Sequence, residues 1–458
     1  MIPGAALRVA LPLALVATPA WATSPPPELV ERGRVIFTTE TFGGNGRTCA
    51  TCHPPDHNFT IDPAYIAALP SGDPLFVAET NPALRDLDRP ALLRKLALVS
   101  VNADGLDRPP VARAVPHLLG LRRTISVEPF TMIPPGGTRD LEDALGWSGD
   151  GAPGAGSLRE FATGAVVQHF PRTMARRPGV DFRLPTDEEL AALEAFLLSI
   201  GRRAEIDISD ATGMRFTAPL VERGRQLFNS EVSGPCSFCH ANGGGLDDAG
   251  FNGMFDTGVE RQPNRPALRL DPTQPADGGF GTSPPLSVGG RTGYGDGRFN
   301  TLSVIESADT PPFFHDDSAA TIEAAVNFYT TPAFASSSGG QQVATVDLPH
   351  GDVVAIAALL RTLNAMENVR GSDAMLRDAA RQPGRAKGMI ALASHDTEDA
   401  IAVLTGGPRQ LYPKAVSLLR DALARERQAV QTAQLQARNG LLREAIRLKE
   451  WARQMMVR

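Results

Sequence analysis

A chain of 458 residues exceeds what one hydrophobic core usually serves, so two or three domains are expected, each with enough apolar sequence to bury a core. Its formal charge of -6, with the signs interspersed, argues against a nucleic-acid partner, which would want a basic stripe.

The first residues read as a targeting segment. Arg8 supplies a positive start, Val9 to Thr18 is mostly apolar, and Ala20-Trp21-Ala22 fits the small-x-small cleavage pattern. Residues 1–22 are therefore expected to be a signal peptide for export to the periplasm, with the mature chain beginning near Thr23. The apolar run is shorter than the roughly 20 residues that span a bilayer, so no integral membrane segment is expected after cleavage.

Export predicts an oxidising compartment in which cysteines are normally paired. Yet the only cysteines are Cys49, Cys52, Cys236 and Cys239, and all of them sit in two short motifs. That leaves none for structural disulfides, so the thiols must be committed to other chemistry.

Along the chain, Leu29 to Phe37 (LVERGRVIF) carries apolar residues at helical spacing and feeds the motif Cys49-Ala50-Thr51-Cys52-His53. Thr186-Asp187-Glu188-Glu189 then starts a capped amphipathic helix predicted to reach Ile200. Leu220 to Phe228 (LVERGRQLF) repeats the first segment at seven of nine positions and feeds Cys236-Ser237-Phe238-Cys239-His240. Pro263 to Asn300 is rich in Gly, Pro, Asn and Asp, reading as long loop, and His350 to Leu363 reads as the counterpart of the Thr186 helix. Beyond about Met366 the composition turns to Ala, Arg, Leu, Gln and Glu, with a long helical pattern from Tyr412 to Arg458. Val416, Leu419 and Leu423, with Leu441, Ile446 and Trp451, are expected to form a packed stripe, in a helical hairpin on the body rather than a partner-binding coiled coil.

Both motifs are C-x-x-C-H, the attachment pattern of c-type haem. Two cysteines three apart reach the two vinyl groups, and the adjacent histidine ligates iron from below the ring. A zinc site would leave both histidines idle, and a redox dithiol needs no second copy. The expected fold is therefore mainly α: two tandem cytochrome c-like haem domains with long loops, residues 23–205 and 206–365, plus a C-terminal helical extension, 366–458. Two covalently bound haems c are expected.

With these motifs and the segment Thr310-Pro311-Pro312-Phe313-Phe314-His315-Asp316-Asp317-Ser318-Ala319-Ala320-Thr321-Ile322, the chain resembles the bacterial dihaem cytochrome c peroxidase superfamily, which includes MauG. The resemblance covers roughly residues 28 to 364. It implies that the second haem is held by His240 and by the residue fourteen positions after His315. That residue is Tyr329, as in MauG, where the peroxidases have methionine. Met254 is the next candidate ligand, and a packed helical tyrosine is the bland alternative.

The first haem would take His53. The distal histidine of the peroxidases has no counterpart, since Leu69 stands there, and His57 is close in sequence, so an open or water-bound position is expected. The family's distal glutamine and glutamate are replaced by Phe161 and Pro171. Glu160, Gln168 and His169 are the nearby substitutes, with His169 best suited to move a proton near neutrality and His117 a weaker candidate. Trp147 resembles the tryptophan that relays charge between the haems, offset by two residues. The family's interdomain calcium would use the carbonyls of Thr310 and Pro312, but Ala114 replaces its asparagine, so waters or Asn102 would complete the shell.

The resemblance implies a periplasmic peroxidase that reduces hydrogen peroxide with electrons from a small cytochrome c or cupredoxin, or from a protein substrate. A dihaem oxygenase activating dioxygen and a non-enzymatic dihaem electron carrier are the alternatives.

Overall fold

The computed structural model describes residues 25–103, 105–124, 157–202, 206–247, 252–279, 284–293 and 295–458. The expected signal peptide and Trp147 lie outside the described residues. The described chain is mainly α, about half helical with few strands.

The elements in order are α1 (Pro27–Thr39), α2 (Cys49–Cys52), α3 (Pro63–Ala68), α4 (Val77–Thr80), α5 (Pro90–Leu96), β1 (Leu98–Val101) and β2 (Val111–Ala114). Helices α6 (Leu158–His169), α7 (Asp187–Leu197) and α8 (Pro219–Phe228) follow, then β3 (Met254–Phe255), α9 (Pro266–Leu270), β4 (Ser287–Val288), β5 (Arg291–Thr292) and β6 (Phe299–Asn300). The chain ends with α10 (Ile322–Phe328), α11 (Pro332–Ala335), α12 (His350–Arg381), α13 (Ala386–Thr405), α14 (Pro413–Gln431) and α15 (Leu435–Met456). The strands form three small antiparallel pairs, β1–β2, β3–β6 and β4–β5.

The two LVERGR segments become α1 and α8, each with a proline in its first turn, where a missing N–H costs nothing. Helix α1 packs along α7, and α8 along α12. Both crossings pass through the repeated glycine. A Cβ at Gly33 would lie 1.9 Å from the Ala192 carbonyl oxygen, and one at Gly224 would lie 2.0 Å from that of Ala355. Helix α7 starts as its sequence predicts: the Glu189 amide donates to Thr186 Oγ1, and the Thr186 amide donates to the Glu189 carboxylate.

Each crossing seeds a core. Phe37, Phe42, Leu118, Leu158, Phe170, Leu193 and Phe196 bury together around α1, α6 and α7. Phe216, Val221, Phe228, Ile356, Leu359 and Leu363 do so around α8 and α12. Each such side chain contributes on the order of 1.5–3 kcal/mol by leaving water. A buried bidentate ion pair from Arg113 on β2 to Asp277, at 2.5 and 2.6 Å, ties the first half to the second. The Ala114 amide adds a bond to the His315 carbonyl at 2.8 Å.

The expected boundary at residue 366 falls inside α12, which runs unbroken through it. Met366 and Val369 share the second core with Val403, Leu404, Val416 and Leu419 of α13 and α14, so the extension and the second half are packed as one body. The tail is a helical hairpin, as expected, broken at residues 432–434 between α14 and α15, while Gly440 sits within α15. Its packed face on α15 is Leu442, Ala445, Lys449, Ala452 and Met456, whereas Trp451 is 47% exposed. Of the expected stripe, Val416, Leu419 and Leu423 are buried and Leu441 and Ile446 pack, partly buried, against the same helices, so only Trp451 departs from it. A charged residue, Lys449, also occupies a core position on α15. Its ammonium donates to Ser372 Oγ at 2.6 Å and Glu426 at 2.7 Å and pairs with Asp373 at 3.2 Å.

Candidate functional site

The first motif forms a single helical turn, α2, closed by Thr48 and Thr51, with His53 just beyond it. The His53 Nδ1–H donates to the Phe59 carbonyl at 2.9 Å. A carbonyl only accepts, so Nδ1 carries the proton and Nε2 keeps its lone pair. Burial pulls the His53 pKa down to about 4, which holds the ring neutral. The second motif repeats the arrangement: His240 Nδ1–H donates to the Gly244 carbonyl at 3.1 Å, and burial lowers its pKa too. A backbone carbonyl on one ring nitrogen is how a metal-ligating imidazole is oriented through the other.

The four cysteines are unpaired and half-buried. Burial pushes the thiols of Cys49, Cys236 and Cys239 up to about 12 and that of Cys52 to about 11. Such apolar surroundings are the opposite of the electropositive setting that makes a redox thiolate. Among the described residues no three His, Cys, Asp or Glu side chains gather in a way that could hold a metal ion. The donor set at each motif is therefore two protonated thiols and one neutral imidazole. That set fits a group attached through carbon–sulfur bonds and ligated by one nitrogen, as c-type haem is.

Around the first motif lie groups that sequence reasoning missed. Arg47, 1% exposed, pairs with Asp88 at 2.6 Å and donates to the Leu75 carbonyl at 2.6 Å, yet its Nη1 is buried without a partner. Arg47 and Cys52 are close enough for each to feel the other's charge. A buried, unsatisfied guanidinium N–H beside the motif suits an anionic substituent such as a haem propionate. Nothing in the sequence links Arg47 to Asp88, which lies forty-one residues on.

The distal candidates separate clearly. Glu160 caps α6, accepting from the Ser157 amide at 3.2 Å, and Gln168 accepts from the Asn102 amide at 2.9 Å. His57 donates to Asp62 at 3.0 Å and stacks on Tyr65 at 4.6 Å. All three are committed to local structure. His169 ends α6 near Asp88, Arg47, Arg176 and His53, and burial lowers its pKa to about 4. His117 likewise lies within electrostatic reach of His53, falls to about 4 chiefly through burial, and has a buried Nδ1 with no partner. The structure thus gathers His169 and His117 into the His53 region. Phe161, at the family's glutamine position, packs against the apolar core of the first half.

At the second motif, Tyr329 caps the C-terminus of α10 and packs among Phe314, Phe328 and Phe334, with Phe334 at 4.9 Å. Its hydroxyl pKa is raised, first by burial and then by the Cys239 and Cys236 thiols, which places it beside that motif. Met254 lies on β3 next to Phe255, whose ring meets Phe238 of the motif at 6.2 Å. His315 stacks on Phe299 at 4.2 Å and Asp316 binds the buried Arg265 at 2.5 Å, so these signature residues hold loops together. Thr310 donates its hydroxyl to the Ser307 carbonyl at 3.0 Å, just before Pro312. Asn102, expected to add an oxygen to a calcium site there, is instead committed to the Arg108 carbonyl at 2.9 Å and to Arg176 at 3.3 Å.

No protein-family model matches the chain, and no curated protein is significantly similar to it. No helix among the described residues is long and apolar enough to cross a membrane.

Proposed function

We propose that this chain is an exported dihaem c-type oxidoreductase of the cytochrome c peroxidase and MauG type. It reduces hydrogen peroxide at the first haem, with electrons passed through the second from a small donor protein or a protein substrate. The observation that carries the proposal is the repeated site: two C-x-x-C-H motifs, each with its histidine Nδ1–H fixed on a backbone carbonyl and two apolar thiols beside it. Each haem, when bound, supplies an iron able to exchange single electrons and, where an axial position is open, to take a small ligand.

The chain's own residues have defined tasks in this proposal. Cys49, Cys52, Cys236 and Cys239 form the thioethers, and the Nε2 atoms of His53 and His240 ligate iron. Arg47, whose buried Nη1 has no partner, would hold a propionate. Tyr329 is the second ligand of the second haem. Burial favours its neutral phenol, so Tyr329 would serve as a ligand only with its proton lost to a cationic metal beside it. Reduction of peroxide to two waters consumes two electrons and two protons, and His169, in the His53 region, would move a proton between the oxygens; burial holds it neutral but makes it a weaker base than the free imidazole that sequence alone suggested. Trp147 relays charge between the halves, and a calcium ion at the Thr310 and Pro312 carbonyls belongs to the same proposal without carrying a step.

A second reading, a dihaem oxygenase, is favoured by Phe161, an apolar side chain where the peroxidases keep their glutamine. The test is an absorption and EPR spectrum of the oxidised protein before and after one equivalent of hydrogen peroxide. High-spin and low-spin ferric signals that both vanish on addition support the peroxidase. Stable dioxygen binding by the reduced protein, with no peroxide consumed, moves the assignment to the oxygenase. Two low-spin signals indifferent to peroxide leave only the electron carrier.

A further inference from the structure

The loop that orients His53 has an unusual backbone. Asn58 and Phe59 are both left-handed, at φ +52° and +54°, a conformation that non-glycine residues avoid because of contact between Cβ and the backbone. Such a pair persists only where its surroundings hold it. The Phe59 ring packs edge-on against Phe37 at 6.1 Å and tilted against Phe196 at 6.3 Å. The Asn58 carboxamide donates to Asp399 Oδ2 at 3.0 Å, across 341 residues of sequence. Asp399 belongs to α13, in the part of the chain beyond the family resemblance.

The second motif provides an internal comparison. There Asn242 is left-handed at φ +54°, Gly243 follows at φ +74°, and Gly244 gives the carbonyl that receives His240 Nδ1–H. The Asn242 side chain accepts from the Ile208 amide at 3.1 Å, within its own half. Both motifs therefore place a left-handed asparagine one or two residues before the acceptor carbonyl and anchor its side chain. Only the first borrows its anchor from the C-terminal extension.

We infer that Asp399 is a positioning residue for the first haem, holding the Phe59 carbonyl against His53 Nδ1 through Asn58. The inference rests on the haem assignment proposed above. A hydrogen bond to Nδ1 raises the basicity of a ligating imidazole, so slackening it makes His53 a weaker donor and raises the reduction potential of that haem. The extension thereby tunes a redox site to which it contributes no ligand.

The test compares Asp399→Leu and Asp399→Asn in the full-length holoprotein by spectroelectrochemical titration of both haems. The two variants remove the same charge, but only asparagine keeps an oxygen for Asn58. The expected result is a further upward shift of the first haem in Asp399→Leu relative to Asp399→Asn, with the second haem at its wild-type potential in both. Asn58→Gly, which tolerates the backbone but lacks the carboxamide, reproduces the leucine variant. Amide exchange at Phe59 and Thr60 speeds up in Asp399→Leu and Asn58→Gly and stays slow in Asp399→Asn. Equal shifts in the two Asp399 variants, or unchanged exchange, overturn the inference. A pyridine haemochrome assay giving fewer than two haems per chain overturns the haem assignment instead, and the exchange rates still report on the tether.

Discussion

Burial sets the protonation of the first motif's surroundings. His53, His117 and His169 are each drawn down to about 4, so all three imidazoles are neutral near pH 7. If His169 moves the peroxide proton, His169→Ala lowers the rate of peroxide reaction by on the order of 10²–10⁴ in stopped-flow absorption. An unchanged rate transfers the role to His117. Asp88→Asn tests the neighbouring ion pair, since Arg47 and Asp88 are both essentially inaccessible to solvent. An uncompensated buried guanidinium costs about 3–5 kcal/mol, readable as a lower denaturation midpoint. The residues legible from sequence were those whose chemistry is local: two cysteines and a histidine within five positions declare themselves. Arg47, Asp88 and the open valence of His117 were illegible because their meaning arises only when distant loops meet.

At the scale of elements, the duplicated helix was legible and its packing reason was not. The repeat LVERGR keeps a glycine because a carbonyl of the crossing helix sits where its side chain would be. Gly33→Ala and Gly224→Ala each cost about 1–3 kcal/mol by overpacking. Gly440→Ala, where nothing lies within 4 Å of the added carbon, gains about 1 kcal/mol from helix propensity alone. Chemical denaturation of the three variants reads both signs in one assay. Hydrophobic periodicity found Leu441 and Ile446 on α15 but could not flag its charged core position, Lys449, 0% exposed among Ser372, Asp373 and Glu426. Lys449→Met strands two buried carboxyl groups and costs about 3–5 kcal/mol at neutral pH. Pairing it with Glu426→Gln recovers part of that loss.

Across the whole molecule, acidic groups crowd where the signature segment, α12 and α13 meet. Burial, with Asp399 nearby, raises Asp309 to about 7 against the help of Asn364 and Asn368. A carboxyl whose pKa is raised in the folded state stabilises that state below about 4 and loses the contribution as pH climbs toward 7. Buried neutral histidines act in the opposite sense over part of this range, so the variant difference is the quantity to read. Asp309→Asn gains stability relative to the parent progressively from pH 4 to 7, and a gap that stays constant across that range rules out the titration. Mainly α architecture and the repeated helices of the two halves followed from the sequence, but how those helices cross and that α12 runs through residue 366 did not, because helical periodicity carries no signal of which core a turn will join. Helix α12 serves two cores along its 32 residues, that of the second half through Val353 to Val369 and, through Leu376 and Ala379, one shared with Ala386 and Ile390 of α13, Ala422 of α14 and Leu442 of α15. A gene cut back to the family-like portion would therefore end in mid-helix with an apolar stripe bare, and its product should aggregate rather than mature. The extension is therefore a structural part of the folded body, and any shorter chain would need other apolar side chains to cover the same face of α12.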